Sequence, residues 1–161
     1  MSPVFGITGW KNAGKTTLTE RLVAEFVRRG WKVATVKHAH HAADIDYPGT
    51  DSFRHRAAGA TEVALVTAGR FAIVREQEEP SLAEVMARLA PADLVLVEGF
   101  KTAAHPKIEV RADDSQPMAS ADYNIVAIAS DRPVEDGPPR FARADVAGIA
   151  DFIAAYIARD R

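Results

Sequence analysis

Gly9-Trp10-Lys11-Asn12-Ala13-Gly14-Lys15-Thr16 decides how this chain folds, because it fits the spacing G-x-x-x-x-G-K-[ST] and stands between a short apolar run and an amphipathic helical pattern. The glycines at both ends allow backbone angles closed to other residues and let main-chain amides come close to oxygen. Successive N–H groups around Asn12, Ala13 and Gly14 then surround a phosphate chain. Lys15 supplies a point charge for the terminal phosphates, Thr16 offers its hydroxyl to Mg2+, and the helix that starts here aims its positive end, with Thr17, at the same charge. The expected ligand is a nucleotide.

Both flanks support this reading. Residues 3–8 read as a buried strand, and residues 17–29 place Leu18, Leu22, Val23, Phe26 and Val27 on one helical face that closes at Gly30. Residues 31–37 form a second strand, and residues 63–67 and 71–74 pair as an antiparallel hairpin around Ala68-Gly69-Arg70. Ser81 caps a short helix reaching about Leu89, and residues 94–97, 108–110 and 125–129 complete the strands. Asp145 caps a last helix in which Val146, Ile149, Phe152, Ile153, Tyr156 and Ile157 share a face. Residues 116–121 and 134–140 read as mobile loops. Strands alternating with helices predict an α/β chain: a three-layer P-loop NTPase fold with a mostly parallel sheet, to which the hairpin adds antiparallel edge strands. An exposed hairpin edge is a candidate dimer surface.

With 161 residues and 47% hydrophobic content, the chain can bury one sizeable core, and no linker-like stretch divides it, so residues 1–161 are expected to form a single domain. A net charge of -2 and a pI near 6.2 give no general attraction for nucleic acid or an anionic membrane, and neither is an expected partner. The absence of cysteine excludes disulfides and thiolate metal sites. No apolar run approaches the roughly 20 residues that cross a bilayer. The first residues enter a strand without the charged and apolar regions of a signal peptide, so a cytoplasmic location is expected.

A second chemical element is Asp93-Leu94-Val95-Leu96-Val97-Glu98-Gly99, an apolar strand with an acid at each end. Roughly 16 Å of strand separates the two carboxylates, and ligands of such sheets bind beyond the carboxyl ends of the parallel strands. Glu98 is therefore the acid expected to serve Mg2+ or the attacking water, and Asp93 marks the start of the strand. A third element follows the second strand: Lys37-His38-Ala39-His40-His41, then Asp44, Asp46, Gly49, Asp51, Ser52, Arg54, His55 and Arg56. Here Asp44 or Asp46 is a candidate metal ligand, Thr50 or Asp51 a helix cap, and Arg54 or Arg56 a second anion contact. The same stretch also reads as an ordinary solvated loop, or as a zinc or nickel site on His38, His40 and His41 that lacks an obvious fourth ligand.

Taken in order, Gly9 to Thr17, Lys37-His38-Ala39-His40-His41, the segment from Asp44 to Ser52, Ala58-Gly59-Ala60, Leu96-Val97-Glu98-Gly99-Phe100-Lys101, Pro106-Lys107-Ile108-Glu109 and Ala129-Ser130-Asp131 resemble the MobB family over almost the whole chain. These are adaptor proteins of molybdopterin-guanine dinucleotide biosynthesis. The resemblance implies a homodimeric P-loop protein that binds GTP with Mg2+ and hydrolyses it weakly. It also implies association with the molybdenum cofactor guanylyltransferase and contact with the molybdenum-insertion enzyme. It carries the phosphate loop onto Gly9, Gly14, Lys15, Thr16 and Thr17, the acidic strand end onto Glu98, and the segment after the second strand onto His38, His40, His41, Asp44, Asp46 and Asp51. Lys15 and Glu98 are the expected catalytic pair.

Guanine preference is the least legible property. The N-K-x-D element of many GTPases is absent, since Asn12 and Asn124 are followed by Ala and Ile. Asp131, just beyond the last expected strand, is the candidate acceptor for the guanine N1–H and amino group. Trp10 stands where deviant phosphate loops carry a lysine that reaches across a dimer, which leaves Lys11 an exposed loop residue. Lys101 and Lys107 are candidates for a pterin phosphate or an acidic partner surface. Without an arginine finger or a strong base, slow hydrolysis is expected. A metallochaperone GTPase and a small-molecule kinase or ligase are the alternatives open to the same loop.

Overall fold

Short apolar runs punctuated by glycine and proline dictate strands, and the periodic segments between them dictate helices. A computed structural model describes residues 1–39, 45–118 and 123–159. Their elements run β1 (Val4–Thr8), α1 (Lys15–Arg28), β2 (Val33–Lys37), α2 (Asp51–Ala57), β3 (Glu62–Val66), β4 (Phe71–Arg75), α3 (Leu82–Met86), β5 (Leu94–Glu98), β6 (Lys107–Val110), β7 (Ile125–Ala129), β8 (Arg140–Phe141) and α4 (Val146–Ala158). They group into two compact units, one of Met1–His38 with Val85–Arg161 and one of Ala39–Glu84.

In the first unit six strands lie in the order β2-β5-β1-β6-β7-β8. Every pair in that sheet is parallel. All five residues of β5 are buried, as an uninterrupted Leu/Val run requires of an interior strand in such a sheet. The stripe read from the sequence on α1 buries Leu18, Leu22 and Phe26, and α4 buries Ile149, Ala150, Ile153 and Ile157. The two helices meet the sheet in one cluster, where the Phe5 ring of β1 sits edge-on to Phe152 at 6.5 Å and to Tyr156 at 6.0 Å. Asp145 caps α4 as expected, its Oδ1 accepting from the Gly148 amide at 3.0 Å. Asp93 does mark a strand start, because its Oδ2 accepts from the Lys32 amide at 2.7 Å.

Some boundaries differ from the sequence reading. Helix α1 begins at Lys15, inside the phosphate loop, and β2 begins at Val33, since the Trp31 amide donates to the Phe26 carbonyl at 3.0 Å while its ring packs on Phe26 at 4.9 Å. Helix α3 stops at Met86, short of Leu89; Ser81 nevertheless starts it with a reciprocal cap, its Oγ donating to Glu84 Oε2 at 2.7 Å and accepting from the Glu84 amide at 3.3 Å. The stretch 134–140, read as loop throughout, ends in β8, a two-residue strand whose register is set by Ile128↔Arg140 and Ala129↔Phe141. Two residues are too few to show a period.

The second unit holds the expected antiparallel hairpin, paired from Glu62↔Arg75 to Val66↔Phe71. Its turn closes where Thr67 and Arg70 exchange hydrogen bonds at 2.8 and 3.1 Å. The hairpin is a two-stranded sheet by itself, however, and not an edge of the six-stranded one. A tight turn specifies pairing with the adjacent segment, but not the larger sheet that a pair joins. Of the two caps considered for α2, Thr50 is the one used, its Oγ1 accepting from the Phe53 amide at 3.4 Å.

Candidate functional site

Strand β1 delivers the phosphate loop at its carboxyl end, and β5 delivers Glu98 beside it, because Ile7 and Glu98 are partners in the parallel ladder. The loop's backbone requires glycine where the pattern has it. Gly9 has φ +145°, and a Cβ there would lie 2.4 Å from the Val110 carbonyl oxygen; Gly14 has φ +97° at the cap of α1. Asn12 also adopts positive φ, at 61°. Helix α1 has no side-chain cap and no acid in its first turn, so its leading amides are left open to an anion.

Four charged side chains converge there. The Thr16 hydroxyl donates to Glu98 Oε1 at 2.9 Å. Lys37, the ladder partner of Glu98 at the end of β2, places its Nζ 3.3 Å from the same carboxylate oxygen and 3.4 Å from Thr16 Oγ1. Lys15 lies over the loop, its Nζ donating to the Trp10 carbonyl at 2.7 Å. Burial lowers the Lys15 pKa from its ordinary value; Glu98 opposes this, and the nearby charges of Lys101 and Lys37 add to it. The Lys101 ammonium sits 4.9 Å above the Trp10 ring. Beyond Glu98 the chain turns sharply: Gly99 has φ +100°, Phe100 has φ +47°, and the Phe100 ring stacks on His38 with centroids 4.6 Å apart. A cavity of about 440 Å³ opens among Asn12, Gly14, Lys15, Thr16, Thr17 and Glu98. Its hydroxyl and carboxylate form an all-oxygen donor pair of the kind that Mg2+ takes together with phosphate oxygens, so the residues fit that ion.

A second cavity, about 290 Å³, lies against Ala13, Gly14, Thr17, Arg21, Asp131 and Arg143. Asp131 accepts from the Arg143 amide at 3.0 Å and from its Nε at 2.8 Å. These hydrogen bonds, that of the side chain foremost, hold the Asp131 pKa below the usual carboxylate range. The structure thus gathers Gly9, Asn12, Ala13, Gly14, Lys15, Thr16, Thr17 and Glu98 around one loop and sets Asp131 in a cavity that shares Gly14 and Thr17.

Other expected residues have different places. Asp46 lies in the second unit, where its Oδ1 pairs with Arg56 at 2.8 Å, and Arg56 also pairs with Glu76 at 2.6 Å. Arg56 is thereby already engaged by carboxylates. Asp44, His40 and His41 fall outside the described residues. Among the described residues no three His, Asp or Glu side chains group to hold a metal. Lys107, read as a candidate anion or partner contact, is instead fully buried, donating from Nζ to the carbonyls of Ala103, of His105 at 2.9 Å and of Tyr123 at 3.0 Å. Its burial draws its pKa down to about 8. A lysine at the start of an alternating apolar strand looks solvent-facing from sequence alone; only the folded chain supplies three carbonyls, two from the segment before it and the third from Tyr123 after it.

Three contributors have no role in the sequence reading. Lys37 and Glu109 stand in segments quoted from the sequence but without a role of their own there, and Arg143 stands in none of them. Glu109, fully buried in β6, accepts from the Met118 amide at 2.9 Å and pairs with Arg111 at 2.8 Å, fixing the segment whose Gln116 carbonyl accepts from Trp10 Nε1 at 2.7 Å. That segment, read as a mobile loop, is therefore tied at Gln116 to the phosphate loop.

The sequence and the fold have known counterparts. The family model described as "MobB: Molybdopterin guanine dinucleotide synthesis protein B" matches residues 4–131. The chain is similar to the molybdopterin-guanine dinucleotide biosynthesis adapter protein of Haemophilus influenzae, 37% identical over 94% of this chain and 87% of that protein. It is 33% identical to the protein of the same name from Escherichia coli, over 98% of this chain and 94% of the other. Among solved structures, a MobB protein homolog from Bacillus stearothermophilus superposes with a TM-score of 0.70 at 30% identity, covering 98% of this chain and 99% of that one.

Proposed function

The chain belongs to the MobB family, and from that premise we propose that it is a GTP-binding adaptor for the guanylylation step of molybdopterin-guanine dinucleotide biosynthesis, with weak GTPase activity. The observation that carries the proposal is the Thr16 to Glu98 contact at 2.9 Å, set at the uncapped start of α1. It joins an anion site to an oxygen donor pair suited to Mg2+. Bound there, Mg2+ would offset the charge of the terminal phosphates. The loop amides hold those phosphates, Lys15 leaves the Trp10 carbonyl to reach them, and Glu98 orients a water through its remaining lone pairs. Asp131 accepts from guanine in the adjoining cavity, a role in which its ionised carboxylate is favoured over an amide. No arginine of the described residues contacts the Thr16 and Glu98 pair. Weak turnover suits that arrangement, because charge placed on the transferring phosphoryl group supplies most of such catalysis.

The partners in this reading are the molybdenum cofactor guanylyltransferase and the molybdenum-insertion enzyme, with the chain acting as a homodimer in the cytoplasm. No helix among the described residues is long and apolar enough to cross a membrane. Support for self-association comes from the hairpin, where Val66, Phe71 and Ile73 leave 74%, 72% and 55% of their surface exposed on one face. Calorimetric titration with GTP and ATP in Mg2+, with Lys15→Ala as control, tests the proposal. GTP preference that vanishes in the variant is expected; ATP preference, or binding untouched by the substitution, overturns it.

A further inference from the structure

The cation seat of this site already holds a cation. Lys37 Nζ stands 3.3 Å from Glu98 Oε1 and 3.4 Å from Thr16 Oγ1, and those two oxygens are themselves 2.9 Å apart. A divalent ion shared by the hydroxyl and the carboxylate would need the space the ammonium fills. The placement follows from the backbone, since Lys37 and Glu98 are register partners at the ends of adjacent parallel strands. Two other lysines near the site have different occupations: Lys15 donates to the Trp10 carbonyl, and Lys101 lies over the Trp10 ring. Glu98 keeps only 8% of its surface exposed, so without a metal its carboxylate needs a counter-charge close by. The Lys37 side chain is 60% exposed and has room to swing away.

We propose that Lys37 is the resident counter-ion of the metal seat, holding Thr16 and Glu98 in place until a divalent cation arrives with the nucleotide and displaces it. The inference rests on the GTP and Mg2+ reading above and deepens it. Lys37 is a positioning residue in this scheme. It preserves the donor pair in the metal-free protein and competes with the incoming ion, so the affinity gained by adding metal is smaller than the bare oxygen pair would give. In the metal-free protein its ammonium stays beside Thr16 and Glu98 and offers the phosphates a positive charge there, which lets that form retain some nucleotide affinity.

The test is the metal coupling of GTP binding, measured as the ratio of the Kd in EDTA to the Kd in Mn2+, for the whole chain and for Lys37→Met. Mn2+ bound in the complex is followed independently by electron paramagnetic resonance. Removing the competitor raises the ratio about fivefold or more, as expected for a partly exposed charge contact. Lys101→Met removes a like charge beside Lys15 without vacating the seat. It should shift both Kd values together and leave the ratio unchanged. Lys37→Arg, which keeps the charge, should hold the ratio near that of the unsubstituted protein. A ratio in Lys37→Met that stays the same or falls, or one that Lys101→Met raises equally, overturns the proposal. A parent protein that binds no GTP even with Mn2+ refutes the GTP reading itself, a distinguishable result.

Discussion

His105 should make the fold sensitive to mild acid. The ring lies so close under β1 that a Cβ on Gly6 would stand 2.6 Å from its Nε2, and neither ring nitrogen has a hydrogen-bond partner. Burial, with a smaller contribution from the Lys107 charge, lowers its pKa from 6.5 to about 4. Below pH 6.5 the unfolded chain therefore takes up a proton that the folded chain refuses. The histidine thus leaves stability intact above pH 6.5 and erodes it as the pH falls toward 4. At about 1.36 kcal/mol for each tenfold change, the full interval bounds the loss at about 3.4 kcal/mol. Solvent reaches part of the ring, so a little under half of that, about 1.5 kcal/mol, is the expected size. For a chain of this length the loss corresponds to a Tm decrease of roughly 3 to 6 °C. Many carboxylates titrate in the same range, and the informative quantity is accordingly the difference between the protein and His105→Gln, followed by thermal unfolding from pH 7 to pH 4. The two curves should converge or cross as the pH falls, because glutamine takes no proton. Parallel curves, or a His105 ring that titrates near 6.5 by NMR, would refute the reasoning.

The remaining predictions concern the site and its surroundings. Gly9→Ala brings a methyl group against the Val110 carbonyl in a backbone conformation closed to alanine, and should cost about 2 kcal/mol or more by denaturant titration while abolishing nucleotide binding. A variant with the parent's affinity would show that the loop does not need that angle. Asp131→Asn keeps the acceptor for the Arg143 amide but loses the charge, so the preference for GTP over ATP should drop about tenfold in parallel calorimetric titrations. An unaltered preference removes Asp131 from base recognition. Ile73→Lys places a charge on the exposed face of the hairpin, and sedimentation velocity should then show monomer where the parent shows dimer. If the variant sediments as the parent does, the homodimer does not use that face.

Much of the site was readable because its chemistry is local. A phosphate loop needs glycines, a lysine and a hydroxyl at fixed offsets within one turn, and residues 9–16 meet that need without help from elsewhere. Glu98 was legible for a related reason: a run of Leu and Val with an acid at each end has only one end that can face a ligand. Lys107 shows the limit, since a charged residue beside an apolar strand reads as surface until the chain around it is seen to fold three carbonyls onto its ammonium. Arg143 is similar, because it lies 12 residues from the Asp131 that it engages, and nothing local joins the two.

The sequence by itself determined that the chain is α/β, that β1 leads through a phosphate loop into α1, and that Glu98 ends an apolar, buried strand; each follows from local periodicity or from the steric needs of a few adjacent residues. The tertiary structure alone decided which groups face one another across the sheet. Pairing β2 with β5 set Lys37 on Glu98, folding the chain back on both sides of β6 enclosed Lys107, and self-pairing made the hairpin a separate sheet. Strand order and register are long-range choices, settled by the joint burial of many side chains, and no short window of sequence contains them.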